Sequence, residues 1–320
     1  SIVAIDSALV GPLDLGVVVV RSAIRIDPRT AQVSIDSSGS DPIPHLLDGI
    51  PLHLRDIRVY VERPGFTLNP TSCNVLNTTS ILTGAGADPF NPADDVPATS
   101  TDRYQLLGCS ELGFAPKLSL KLLGGHRRAQ HPALRAVYES RPGDANVGTA
   151  VVTLPHSEFL AQNHIREICQ AAQFEANACP PGSIYGHARA WSPLLPEPLE
   201  GPVILRTSSH PLPDMVAALR GDGGIAIDVE GRISSVGGGM RGSFEVLPDA
   251  PASKFELTLE GGKRGLLENS ESLCATPIYA SARLGGQNDA PEALRVKLGN
   301  DCRGHRKHGK HRAKRRQRRR

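Results

Sequence analysis

Aromatic residues make up only 4% of the 320-residue chain, and there is one tryptophan, Trp191. With so little ring surface, the apolar interior has to be built from Val, Leu, Ile and Ala, and few platforms remain for stacking against sugars or bases. Long apolar runs are also missing. None approaches the roughly 20 residues that a spanning helix needs, and Val17–Val20 reads as a buried strand. There is no CxxC pair and no Cys/His cluster at zinc spacing, which argues against a structural zinc framework. The chain starts at Ser1 with no initiator Met and no visible signal peptide, as a trimmed chain would.

Glycine (32) and proline (26) are plentiful, and both interrupt helices and favour short strands joined by turns. Six cysteines, Cys73, Cys109, Cys169, Cys179, Cys274 and Cys302, allow 15 pairings. Their positions at segment edges argue for the local scheme Cys73–Cys109, Cys169–Cys179 and Cys274–Cys302. Each bond would constrain the unfolded chain by about 3–4 kcal/mol in the chain-entropy picture. Six reduced core thiols in a cytosolic protein are the alternative, but an even set in this pattern points to an oxidising compartment.

The net charge of +3 conceals a split. The last 18 residues hold 11 Lys and Arg and no acid; the rest holds 25 Lys and Arg against 33 Asp and Glu, a net of −8. The tail at 303–320 has no apolar face and is expected to be disordered. Arg312, Lys314, Arg315, Arg316, Arg318, Arg319 and Arg320 form a polyanion-binding segment on this reading. Such groups attract phosphates by counterion release and anionic lipid or cell-wall surfaces by the same chemistry. His305, His308 and His311 recur in the tail, where solvating charge is the simpler role than holding a metal.

One stretch occurs twice. IPLHLRDIRVYVERPGFTLNPTSC, Ile50 to Cys73, has a counterpart in PASKFELTLEGGKRGLLENSESLC from Pro251. Pro51, Gly65 and Asn69 match Pro251, Gly265 and Asn269 at an offset of 200, and Cys73 matches Cys274 after a one-residue slip. Ile57, Val59 and Val61 alternate with polar residues, as do Phe255, Leu257 and Leu259, the pattern of half-buried strands. Upstream, VVVVRSAIRIDPRTAQVSID reads as a hairpin turning at Asp27–Thr30, and IAIDVEGRISSVGGGMRGSFEVL as one turning at Gly237–Gly239. Further strands are expected in LSLKLL, PALRAVYES, GTAVVTLP, GSIYGHARAWSPLL and GPVILRTSSH, with Pro180-Pro181 and the SPLLPEPLEGP run as rigid connectors outside central strands.

The expected fold is all-β: two tandem antiparallel sandwich-like modules with a short helical insertion and a disordered basic tail. Residues 1–115 form a partial module, 116–302 a longer one with its helical insertion near 157–178, and 303–320 the tail. Short strands at regular turn spacing fit barrels as well.

Catalytic patterns are weak. GSIYG at Gly182–Gly186 places its serine one position early for a nucleophile elbow, and GGIAIDVEG lacks dinucleotide spacing. His187, Asp214 and Ser208 or Ser209 can be written down as a triad, but a chain with 11 histidines offers such trios freely. Glu197 and Glu200 sit beside prolines as solubilising charge. Asp88, Asp94 and Asp95 share a polar loop without EF-hand spacing. Arg220-Gly221-Asp222 spells an adhesion tripeptide and Asn77-Thr78-Thr79 a sequon, both by pattern only. No catalytic residue, metal or cofactor is assigned.

GPLDLGVVVVRSAIRIDPRTAQVSI, GIPLHLRDIRVYVERPGFTLNPTSC, CQAAQFEANACPPGSIYGHARAWSPLLPEPLEGPVIL and SHPLPDMVAALRG resemble segments of large, uncharacterised multi-module secreted proteins of soil actinobacteria. The resemblance spans roughly residues 8–302 and leaves out the tail. It implies export, modular β architecture, and that this chain is the C-terminal part of a longer protein. It implies no catalytic residues. The expectation is a non-enzymatic extracellular or cell-envelope protein, a stalk, scaffold or binding module, whose tail meets an anionic polymer or a membrane or cell-wall surface. A carbohydrate- or ligand-binding module of a larger exported enzyme is the alternative, with a protein or glycan ligand unspecified; a nucleic-acid binder acting through the tail is another.

Overall fold

The structure is a computed structural model that describes residues 2–6, 17–39, 42–53, 68–88 and 90–302. The basic tail and the alternating strand of the first repeat copy, at 54–67, lie outside the described residues.

Before residue 117 the described strands pair as four two-stranded hairpins. They are β1 (Ile2–Asp6) with β2 (Val17–Arg21), β3 (Ala23–Ile26) with β4 (Val33–Asp36), β5 (Leu46–Leu47) with β6 (Ile50–Pro51), and β7 (Val75–Gly84) with β8 (Val96–Gln105). The turn between β3 and β4 forms where its sequence indicates. The Asp27 carboxylate accepts hydrogen bonds from the backbone N–H of Arg29 and Thr30 at 2.9 and 2.7 Å, which hold it below the usual carboxylate range.

Residues 117–300 form one closed barrel of eleven strands. Its strands are β9 (Lys117–Leu123), β10 (Ala133–Glu139), β11 (Val147–Thr153), β13 (Ile184–Trp191), β14 (Leu199–Arg206), β15 (Asp214–Arg220), β16 (Ala226–Val236), β17 (Gly239–Phe244), β18 (Lys254–Leu259), β20 (Tyr279–Gly286) and β21 (Pro291–Asn300). Two short strands, β12 (Glu158–Leu160) and β19 (Leu267–Asn269), pair outside it. Around the barrel the order is β10, β18, β13, β14, β15, β16, β17, β11, β20, β21, β9, and β9 returns to β10. Every pairing is antiparallel except the last seam, where Leu298–Asn300 of β21 run parallel to Leu120–Leu122 of β9.

This replaces the two sandwich-like modules expected from the sequence. Alternation identifies strands with one face buried, but it carries no record of whether successive sheets stack or curl until their edges meet. Here a single ring of strands turns its apolar residues inward. On β20, Ala280, Ala282 and Leu284 enter the core while Tyr279 and Arg283 stay outside; on β21, Val296 and Leu298 enter while Arg295 and Lys297 stay out. An apolar interior with a charged exterior is the reverse of a lipid-facing barrel, and among the described residues no helix is long and apolar enough to cross a membrane.

Two local expectations also change. The helical insertion near 157–178 shrinks to one α-helix, α1 (Ala171–Glu175), whose start is closed by reciprocal Gln170 and Gln173 capping, and Glu158–Leu160 is strand. Pro202, counted with the rigid connector, lies inside β14. Its missing N–H falls where the β14–β15 register is interrupted, between the Glu200↔Arg220 and Val203↔Ala217 pairs.

The bonds Cys73–Cys109, Cys169–Cys179 and Cys274–Cys302 are present, with Cα separations of 5.6, 5.2 and 5.8 Å. Those separations suit disulfides without backbone distortion. Three such bonds suggest an oxidising environment.

β12, β19 and their flanks close one end of the barrel. Leu160, Leu266, Leu267 and Leu273 from these segments join the barrel core. Beside them the Cys169–Cys179 segment lies across the outer face of β14 and β15. There Cys169 and Phe174 pack on Ile204, Val216 and Ala218, so both faces of these two strands are buried.

The hairpins are tied to the barrel by polar contacts. Asp249 accepts from the backbone N–H of Thr71 and Ser72, the Thr71 hydroxyl and the Asn146 amide, all within 2.9 Å. The Asp228 N–H donates to Pro28 O at 2.7 Å. In contrast, β7 and β8 are exposed at nearly every position.

Candidate functional site

Side chains alternate across a strand, so adjacent strands in register align their outward residues in rows. On one wall of the barrel these rows collect cations. Arg241 of β17 faces Thr153 of β11, Thr153 faces Ser281 of β20, and Ser281 faces Arg295 of β21. In the neighbouring row Arg283 lies between Val151 and Ala293, and Lys297 stands opposite Tyr279. Past the parallel seam, Lys121 of β9 pairs with Gly299.

The outward positions of β17, β11, β20, β21 and β9 include no acid. Glu292, the one acid in these strands, alternates to the other side, opposite Leu284. A groove of about 400 Å³ crosses the wall, lined by Arg241, Arg283 and Arg295 with Thr153, Ser281 and Leu294 among its other walls.

These cations have few partners. Arg241 donates from Nε to the Thr153 hydroxyl at 2.9 Å, which orients its guanidinium. Arg295 stacks over the Tyr279 ring at 4.1 Å. Among the described residues no acid pairs with Arg241, Arg283, Arg295, Lys297 or Lys121. Elsewhere on the barrel, exposed cations are matched: Arg135 with Glu256 at 2.9 Å, Arg189 with Glu200 at 2.5 Å, Arg220 with Asp228 at 2.6 Å. The unmatched wall therefore concentrates positive charge although the chain outside its tail carries more acids than bases. Oriented, partly stacked guanidinium groups suit phosphate, sulfate or carboxylate oxygens.

A second concave region contrasts with it. Arg29, His210, Asp214, Asp228, Glu230, Arg232 and Glu245 line a cleft where the β3–β4 turn meets β16. Its charges are balanced internally. Arg206, mostly buried and over the Phe174 ring at 5.3 Å, donates to Glu230 at 2.9 Å and lies 3.8 Å from Asp214; Arg29 reaches Glu230 at 3.5 Å. The Arg206 hydrogen bond holds Glu230 below its ordinary range, whereas burial pushes Asp214 up. The cleft fastens the hairpin to the barrel.

Ser208, His210 and Asp214 do meet there, but in an arrangement unsuited to acyl transfer. The Ser208 hydroxyl donates to Leu212 O at 2.6 Å, so the His210 Nδ1 facing it at 3.2 Å acts as donor. His210 Nε2 accepts from Arg232 Nε at 2.9 Å. Neither ring nitrogen is left to take a proton from serine. His187 of the sequence-derived trio lies apart, bound to Gly201 O at 3.0 Å.

Other motifs resolve into turns and ties. Ser183 of GSIYG is buried and donates to Pro180 O at 2.7 Å. Gly223 and Gly224 of the GGIAIDVEG stretch have φ of 72° and 78°, which a tight turn into β16 requires. Arg220 of the adhesion tripeptide is held by Asp228. Asp88 accepts from its own turn at Phe90 N, Asp95 faces His45 at 3.8 Å, and the loop acids do not converge. Asn77 is exposed on β7. His126 lies by Cys274 and Cys302, whose sulfurs are bonded to each other and unavailable as thiolate ligands. Arg312, Lys314, Arg315, Arg316, Arg318, Arg319 and Arg320 lie outside the described residues.

The basic wall was not anticipated from the sequence. Its signal was there in part, since Arg283, Arg295 and Lys297 are out of phase with the buried residues of their strands. What places Arg241 in line with them is the pairing of β17 with β11 and of β11 with β20, a long-range register. No protein-family model matches the chain, and no curated protein matches it.

Proposed function

We propose that this is a non-enzymatic protein of the cell surface or extracellular space that holds an anionic polymer against one wall of its barrel. The observation that carries the reading is the set of outward cations on four of five adjacent strands, with no outward acid on any of the five. The three disulfides support an extracellular setting, and the resemblance to multi-module secreted proteins agrees with it. The tail would extend the same attraction. The shared chemistry is anionic oxygen, from phosphate-bearing wall polymers, lipid headgroups or nucleic acid.

The test separates wall from tail. A chain ending at residue 302 and the full chain are each compared with an Arg241→Gln/Arg283→Gln/Arg295→Gln version for retention on heparin, a soluble polyanion, at rising salt. The truncated chain should still bind, and the triple substitution should lower the slope of log affinity against log salt by about 2–3 in either background. Equal slopes with and without the three arginines would refute the wall, leaving only the tail.

The reading as a carbohydrate-binding module has less to stand on. Trp191, the one tryptophan, is covered by the Lys254 ammonium at 4.8 Å from its ring. A glycan array with the truncated chain tests it directly.

A further inference from the structure

At the end of the barrel closed by β12 and β19, four side-chain oxygens are sealed from water with no hydrogen-bond partner: Ser157 Oγ, both carboxyl oxygens of Glu158, and Asn269 Oδ1. Ser157 and Glu158 are 0% exposed and Asn269 1%. Among the described residues these four are the buried side-chain polar atoms without a partner. Buried polar groups are almost always satisfied, so four together on three residues call for a reason.

They share one place. Glu158 and Asn269 are direct partners in the β12–β19 pair, so their side chains lie on the same face. Ser157 precedes Glu158, and its hydroxyl is near enough to favour the ionised carboxyl without closing a bond of ordinary geometry. The asparagine cannot be turned round. Its Nδ2 donates to Gly125 O and Arg127 O, so Oδ1 is fixed as the free atom and acts only as an acceptor. The local backbone donors are already spent: Glu158 N on Pro155 O, Asn269 N on Gln130 O and Ser270 N on Ser157 O.

We infer that Glu158, Asn269 and Ser157 form a binding site for a hard divalent cation of the Ca²⁺ class. All four atoms are oxygens, with no nitrogen or sulfur to favour a transition metal. The one charged group acting on Glu158 is Glu271, exposed on the segment that follows β19. Together the two carboxylates carry the charge that a divalent ion neutralises. A bound ion would join β12 to β19 at the plug, where the sequence separation is 111 residues between register partners.

Full-length protein stripped with chelator is titrated with Ca²⁺, Mg²⁺ and Na⁺, reading the melting temperature, alongside Glu158→Gln, which keeps the shape and removes the charge. Ca²⁺ should raise the melting temperature of the wild type in a concentration-dependent way and leave Glu158→Gln unmoved. No rise with Ca²⁺, an equal rise in Glu158→Gln, or stabilisation by Na⁺ alone would overturn the site. Should Glu158→Gln fail to fold, Ser157→Ala serves in its place: removing one of the four oxygens should shrink the Ca²⁺-dependent rise, and a rise equal to that of the wild type refutes the assignment.

Discussion

Glu158 and Asp249 are both withdrawn from solvent, yet their carboxyls shift in opposite directions. Burial pushes each upward. At Asp249 the Asn146 amide, the Thr71 hydroxyl and two backbone N–H groups outweigh it and hold the group below its usual range. Its folded value lies below the unfolded one, so its stabilisation is complete above the unfolded value and fades as pH falls through the folded one. At Glu158 only the Ser157 hydroxyl favours the charge, burial outweighs it, and the neutral form is favoured in the fold. The sign reverses: in chelator, stability should decline as pH rises from about 5 toward 8, by on the order of a few kcal/mol. Denaturant midpoints at each pH check this, and Glu158→Gln should remove that part of the slope. An unchanged slope would mean that Glu158 ionises freely.

β14 and β15 show what an added cover does to a barrel strand. Their outer faces would be solvated but for the segment from Cys169 to Cys179, whose Phe174 lies on Ile204, Val216 and Ala218. Opening that loop with Cys169→Ser/Cys179→Ser should cost about 2–3 kcal/mol by chain entropy. Amide exchange should accelerate in β14 and β15 while β20 and β21 keep their protection; uniform acceleration would show that the loop is not a local cover. Elements of this kind were legible in different degrees. The strands around Phe255–Leu259 and Ala226–Val236 stand out by alternation, and Gly237-Gly238, with φ of 58° and 82°, form the turn that the sequence marks between β16 and β17. The cysteine pairs were legible from position because each closes a segment only 10 to 36 residues long. Closure of the barrel was not. It depends on β9 finding both β10 beside it and β21 nearly 180 residues later, and no local pattern encodes that meeting. The repeat illustrates the same limit. Its second copy spans β18 and β19, which belong to different sheets, so similar wording does not mark a self-contained module. The buried oxygens were equally hidden, because Ser157, Glu158 and Asn269 look like ordinary polar residues until β12 meets β19.

For the molecule as a whole, the parallel seam has a mechanical consequence. β9 opens the barrel and β21 completes it, and because they run in the same direction, the chain arrives at one rim and departs from the opposite rim. Tension applied between residues before Lys117 and after Asn300 therefore slides these two strands past each other lengthwise. Their cross-strand bonds must then fail together, since no end is left to unzip one bond at a time. In single-molecule pulling, the intact chain should yield in one abrupt event at higher force than a version pulled from two residues at the same rim; equal forces would contradict it. A barrel threaded this way should bear load along its axis as one unit, the whole seam giving way together rather than strand by strand.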